Sequence, residues 1–262
     1  MISYVTFDDL RSYLRQDSST GDEVLVKQFA ERASRQFERW CRGRKFYPRQ
    51  ETRYYDHPPD DSVLKLDDDL LALTTFTTNN SSTTVSSDDY YLLCGDQYGL
   101  TPYDRIVLKS DGSQPNLLYS GTPQRANAVA GVWGYHEEWA DAWQDSNDSI
   151  QDAGGINASV TTITVSDVDG AGIYGLTPRL KKLQLLKIDS EYLYMTDYDT
   201  SANTLTVRRG MLGCGGGCWA RRRPATTRTR RSMSTGPCPT SSRRCWTWQS
   251  TCTCTRTRAT AT

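Results

Sequence analysis

The residues best equipped for chemistry in this chain of 262 residues are few and scattered. His57 and His136 are its only histidines, each beside Pro or an aromatic residue, and neither has a second ligand at metal-binding spacing. Asp60-Asp61, Asp67 to Asp69 and Asp88-Asp89 gather carboxylates that could hold calcium. None sits in a D-x-D-x-D-G loop, so turn and strand-edge roles are expected of them. Cys214, Cys218, Cys252 and Cys254 offer thiolates to zinc, but their spacing makes no pair of C-x2-C knuckles and the surrounding tail has no His. Trp133, Trp139 and Trp143 could form a ligand platform; aromatic packing at a strand end or subunit contact is the expectation. There is no phosphate-cradling glycine loop and no G-x-S-x-G. The sequence thus predicts no catalytic, cofactor-binding or metal-binding residue, no cofactor, and a protein that is not an enzyme.

The elements that would position any site begin with two helices. Thr6 is placed to cap a short helix through Leu14, with Asp8 and Asp9 in the first turn, where the helix dipole favours carboxylates. Gly21 and Asp22 open a longer helix, whose apolar stripe is Val26, Phe29, Ala30, Ala33, Phe37, Trp40 and Cys41, with Gly43 placed to end it. That stripe is expected to be intramolecular core. Glu31, Arg32, Arg35, Glu38 and Arg39 are expected to form a solvated face. The period then changes. Thr52 to Tyr55, Val63 to Leu66, Tyr90 to Leu93, Arg105 to Leu108 and Ala128 to Trp133 are short β-branched and aromatic runs between turn residues. A polar stretch, Glu137 to Asn157, leads to Val160 to Val165, Leu183 to Ile188, Glu191 to Thr196 and Thr204 to Val207, which also read as strands. Asp189-Ser190 and Thr200 to Asn203 are the expected turns.

From Cys214 onward the composition changes abruptly. The segment to Thr262 has no Val, Leu, Ile, Phe, Tyr, Asp, Glu or Lys, so it cannot build an apolar face of helical or strand period. A frameshift accounts for the joint. Val207 to Gly213, written GTG CGG CGG GGG ATG CTG GGC and read one nucleotide later, spells Cys214 to Ala220 residue for residue. DNA encoding that segment twice in tandem, with a repeat length not divisible by three, puts everything after Gly213 out of frame. Each shifted codon is only partly determined, but Pro239 to Cys254 can be read back as P-D-I-V-E-A-V-L-D-L-A-I-Y-M-Y-M, with some positions ambiguous among similar codons, a Pro-Asp start followed by apolar residues three and four apart. Six of the eight cysteines lie in the tail and follow from shifted NTG codons. The competing explanation is a basic nucleic-acid-binding arm, since the tail holds ten Arg and no acid.

The expected class is therefore α+β: an N-terminal helical hairpin, inserted small β-domains, and a C-terminal helix lost to the frameshift after Gly213. Its predicted divisions are a helical core over 1–48, a β-rich segment over 49–136, a polar linker over 137–157, a second β-rich insertion over 158–213, and a disordered out-of-frame tail over 214–262. Without the tail, 21 Lys and Arg stand against 31 Asp and Glu, a net of −10, so the body is acidic. Cys41 and Cys94 make no disulfide framework. No signal peptide or membrane-length apolar run is present, which suits assembly in a cytoplasm.

The opening YVTFDDLRSYL, then FERWCRGRKFYPR, ETRYYD, LKLDDDLLALTTF and AVAGVWGYH, in that order over residues 4 to 135, resemble the head-to-tail connector (adaptor, head-completion) proteins of tailed bacteriophages. KIDSEYLYMTDYD with LTVRRGMLG resembles a β-insertion of longer members, and the recovered helix resembles the one that usually closes them. The resemblance implies a structural protein of the virion neck, of a phage or prophage, assembled in the bacterial host cytoplasm. It would form a ring, commonly dodecameric, below the portal protein and extend the DNA channel. Its implied partners are the portal, a neck stopper or tail-completion protein, further copies of itself, and genomic DNA passing without sequence-specific binding; no membrane is implied. A β-rich tail or baseplate binding module remains the alternative, with the basic-arm nucleic-acid binder behind it. No site residues are carried over from the resemblance.

Overall fold

A computed structural model describes residues 2–15, 22–152, 155–157, 159–172, 174–175 and 177–210, together with the backbone of 244–248. It has two helices followed by strands in two antiparallel sheets, an α+β arrangement. Helix α1 is Phe7–Leu14. The Thr6 hydroxyl accepts the Asp9 N–H at 3.3 Å, and Arg15 closes the helix in the left-handed region at φ 51°. Helix α2 is Glu23–Trp40, and its chain leaves through Arg42 and Gly43 at φ 59° and 82°, the conformation that favours glycine.

The first sheet holds β1 (Arg49–Tyr55), β2 (Val63–Thr78), β3 (Thr83–Thr84), β4 (Tyr90–Cys94), β5 (Gln97–Tyr98), β6 (Tyr103–Leu108) and β7 (Asn127–Trp133). Its order is β1-β7-β2-β6-β4-β5, with β3 paired to β2. Strand β2 is much longer than the predicted Val63 to Leu66. It pairs first with β6, then with β7, and changes partner through an irregularity between Lys65 and Leu70. Asp67 to Asp69 occupy that irregularity, so their polarity marks a change of pairing within the strand rather than its end. At Gly131 on β7 a Cβ would come 2.3 Å from the Ala72 carbonyl oxygen, so the close β2–β7 approach requires glycine.

The second sheet runs β8-β13-β10-β11-β12-β9, built from β8 (Trp143–Ser149), β9 (Thr162–Thr164), β10 (Leu185–Ile188), β11 (Glu191–Asp199), β12 (Thr204–Arg208) and β13 (Arg244–Trp248). Two expectations need correction here. The polar stretch 137–157 is not only a linker, because Trp143–Ser149 in it is strand β8. Its polarity hid a strand that pairs only at one edge within the sheet. The tail, expected to lack order, contributes β13, which lies antiparallel to both β8 and β10. Arg244–Trp248 reads RCWTW, and Trp and Thr favour extended backbone, so a five-residue strand forms without a helical apolar period. The remaining tail positions, and with them Cys214, Cys218, Cys252 and Cys254, lie outside the described residues.

Three apolar clusters hold these parts together. One lies within the first sheet around Leu70, Phe76, Ile106, Val129 and Trp133. Another lies within the second around Ile163, Leu180, Leu186, Leu193 and Leu205. The third joins Ile2, Phe7, Val26 and Ala30 of the helical region to Leu71 and Val132 of the first sheet and Leu185, Tyr192 and Tyr194 of the second. The second β-segment therefore shares a core with the helices. Lys182 reinforces the joint, reaching Glu23 of α2 and Asp197 of β11 at 2.8 Å each, while the Phe7 N–H donates to the Lys182 carbonyl at 3.0 Å.

Candidate interaction surface

The five segments that carry the sequence resemblance meet at one place. Tyr4, just before α1, sends its hydroxyl to Glu38 of α2 at 2.8 Å and accepts the Phe46 N–H at 3.0 Å. Burial pushes the Tyr4 phenol well above its ordinary pKa, the Phe46 N–H opposes this, and Glu38 adds to the rise. The Tyr135 N–H after β7 donates to the Phe46 carbonyl, and the Gly134 N–H donates to Asp69 of β2, both at 3.0 Å. Tyr4, Phe37, Phe46 and Tyr135 form a run of ring contacts across this junction.

A cleft of 760 Å³ opens beside the junction, lined by Trp40, the Cys41–Phe46 turn, Arg49, Arg53, Asp67 and Asp68. Arg49 and Arg53 stand two positions apart from Glu51 on either side, so the strand period sends all three to one face of β1. Arg49 meets Glu51 at 2.6 Å and Asp68 at 3.1 Å, and Arg53 meets Asp68 at 2.8 Å and Asp67 at 3.1 Å. Arg44 approaches Asp69 at 3.2 Å. Arg53 also lies over the Trp133 ring, 4.3 Å from its centre. Burial opposes ionisation of Asp67, but the Tyr55 hydroxyl and Arg53 outweigh it and hold the carboxyl below its usual range. Asp69 goes the other way: its burial, beside Asp68 and Asp104, raises it against the pull of Arg44. The Nε of Arg49 is buried without a hydrogen-bond acceptor. Chemically, the cleft is a guanidinium-rich recess whose inner charges are matched by carboxylates and whose rim adds Arg42, Lys45 and Trp40.

Along α2, the stripe expected to be core divides in two. Val26, Ala30 and Ser34 are buried, and the Ser34 hydroxyl donates to the Ala30 carbonyl and accepts the Tyr4 N–H. Phe29 is 51 %, Phe37 43 % and Trp40 74 % exposed. The correction follows from geometry: Phe29 and Ala33 each precede a residue of the buried line Val26, Ala30, Ser34 by one position, about 100° around the helix, and so face away from the sheets.

The remaining sequence candidates are dispersed. His57 Nε2 lies 2.9 Å from Asp61, with its ring 4.6 Å from that of Tyr119, whereas His136 Nδ1 accepts the Glu138 N–H. Asp60 takes the Ser62 N–H and hydroxyl, a local turn contact, whereas Asp89 takes those of Ser113, tying the segment before β4 to the loop after β6. Trp133 is buried in the first sheet and donates to the Glu51 carbonyl. Trp143 instead stacks on Tyr192, 5.4 Å between centres, with Trp139 edge-on. Among the described residues no three His, Cys, Asp or Glu side chains gather as a metal set, and no described helix is long and apolar enough to cross a membrane. The cleft itself was missed in the sequence, although the alternation Arg49, Glu51, Arg53 was a usable signal for one charged strand face. No family model, curated protein or solved structure matches the chain.

Proposed function

We propose that the chain is a structural protein of a tailed-phage or prophage virion, a ring-forming connector below the portal that joins capsid to tail and extends the DNA channel. The observation that carries this reading is convergence: the segments resembling connectors, in the order they occupy over residues 4 to 135, pack around one junction and its cleft. A guanidinium-rich recess in an acidic body gives copies of the chain, or a portal, charge-complementary surfaces to meet. The net −10 of residues 1–213 suits a channel wall along which DNA slides without sticking.

Electron microscopy of the purified chain, beside a frame-corrected version, tests the proposal. Rings around an open channel are expected of the frame-corrected protein. Compact trimers would instead favour a tail or baseplate module, and monomers in both preparations would overturn the connector.

A further inference from the structure

We infer that the gap between β8 and β10 is a strand-acceptor site, filled here by β13, and that it takes the same strand, Arg244–Trp248, from a second copy of this chain. The inference concerns the chain as translated and needs neither the frameshift nor ring formation.

The walls of the gap are fixed without the strand that fills it. At one end of β8, the Ser166 N–H donates to the Ser149 carbonyl at 3.0 Å and the Gln151 N–H to the Thr164 carbonyl at 2.9 Å, which ties β8 to β9 and the residues after it. At the other end, Trp143 stacks on Tyr192 of β11, 5.4 Å between centres, and the Lys187 ammonium of β10 lies 5.6 Å from the centre of the Trp143 ring. The other wall, β10, is held by β11, with Leu185 to Ile188 opposite Tyr194 to Glu191. Two strand spacings, roughly 9.6 Å, separate β8 from β10, so the gap admits one strand.

By contrast, β13 is rooted nowhere else. It lies antiparallel to β8 and β10 and makes no comparable packing with any other described element. Residues 211–243 stand between it and Gly210, the last described residue of the body. At roughly 3.3 Å per extended residue that segment reaches about 110 Å. A body of residues 1–213 has a radius of gyration of only about 17 Å. The strand therefore reaches the gap of an adjacent copy as well as its own.

Hydrogen bonding and charge favour this occupant. An empty gap bares the backbone N–H and C=O rows of β8 and β10 together, and an extended segment satisfies both at once. Strand β8 reads WQDSNDS, with two Asp and no base, whereas Arg243 and Arg244 open the donated strand. Each copy also joins a body of net −10 to a tail with ten Arg, so the tail of one copy is drawn to the body of another. Pairing within one chain has the advantage of its tether, an effective concentration on the order of millimolar. Exchange is expected where copies reach that concentration or where a gap has lost its own strand.

The test empties the gap in the full chain. Trp246→Pro does so because proline gives no N–H to a ladder, and Thr247→Pro is a second route. A fluorescein-labelled peptide of residues 242–250, kept reduced, is followed by anisotropy. Both proline variants should bind it saturably, and the parent at least about tenfold more weakly, since its own strand competes. The same peptide carrying Trp246→Pro keeps the charge and should not bind. Labelled parent chain sedimented with Trp246→Pro chain at about 1 mM should gain mass, and excess free peptide should reverse the gain. No saturable binding by the proline variants would falsify the inference. Equal binding by parent and variants, or by the proline peptide, would overturn it by placing the peptide on another surface. So would no gain in mass, or a gain that free peptide leaves untouched. Thermal unfolding of each variant completes the test: loss of folding in both would contradict walls that stand without β13. Rings seen by microscopy are unaffected by any of these results.

Discussion

Asp68 shows how much one side chain can hold. Its carboxylate meets Arg49 and Arg53, and its other oxygen lies 3.5 Å from Arg44, with only 12 % of the side chain exposed. Removing it takes one partner from each of two guanidiniums that are themselves 10 % and 17 % exposed, leaving Arg49 to Glu51 and Arg53 to Glu51 and Asp67. Asp68→Ala is therefore expected to destabilise the chain by about 2 kcal/mol, below the roughly 3 kcal/mol of leaving a buried charge with no partner. Asp67→Ala, whose carboxylate is 68 % exposed, should cost less than about 1 kcal/mol despite its own contacts to Arg53 and Tyr55. Urea denaturation of the two variants decides it: equal losses would mean that the network acts through surface charge rather than burial. Neither residue could be ranked from sequence. Asp67 to Asp69 read as a single acidic turn signal, and only the change of partner along β2 turns one of them inward.

At the scale of elements, local signals were legible and long-range pairings were not. Thr6 as a cap, Gly43 as a stop and the turn at Asp189-Ser190 are decided by neighbours in sequence, and the structure places all three as expected. That β7 would lie between β1 and β2, or that α2 would rest on β11 as well as the first sheet, depends on residues far apart in sequence. Lys182 makes the second joint testable. Burial alone would lower its pKa, but Asp197 and Glu23 raise it; burial alone would raise Glu23 and Asp197, but Lys182, with Lys27 of α2 beside it, brings both down. For the two acids, the contribution to stability is complete above their ordinary pKa values and is lost as pH falls through the depressed native ones. For Lys182 it is complete below the ordinary lysine value and is lost as pH rises through the raised native one. Lys182→Met should cost about 1 kcal/mol at neutral pH, a figure kept low because Asp197 is 46 % exposed. It should also flatten the loss of stability at both pH extremes. Thermal unfolding across pH measures this, and an unchanged acid limb in the variant would show that Lys27, which also meets Glu23 and Asp197, and not Lys182, holds the two acids down.

For the whole molecule, charge is divided along the chain: residues 1–213 carry −10 and residues 214–262 carry ten Arg with no acid. The nominal neutrality of the sequence conceals two opposite polyelectrolytes, and DNA responds to each separately, because its counterions are released only where cations meet phosphates. The translated chain is thus expected to retard duplex DNA without sequence preference. With about six phosphates engaged, its affinity should fall on the order of a thousandfold between 50 and 200 mM salt. Replacing the six arginines between positions 221 and 231 with glutamine, which leaves β13 intact, should remove most of that binding. A gel-shift titration over salt reads both effects. Retardation that survives the substitutions would place DNA affinity in the body, with the Arg42 to Arg53 cleft as its source, and would contradict a channel wall that lets DNA slide. Loss of retardation would place the DNA affinity in the tail's arginines and not in the acidic body.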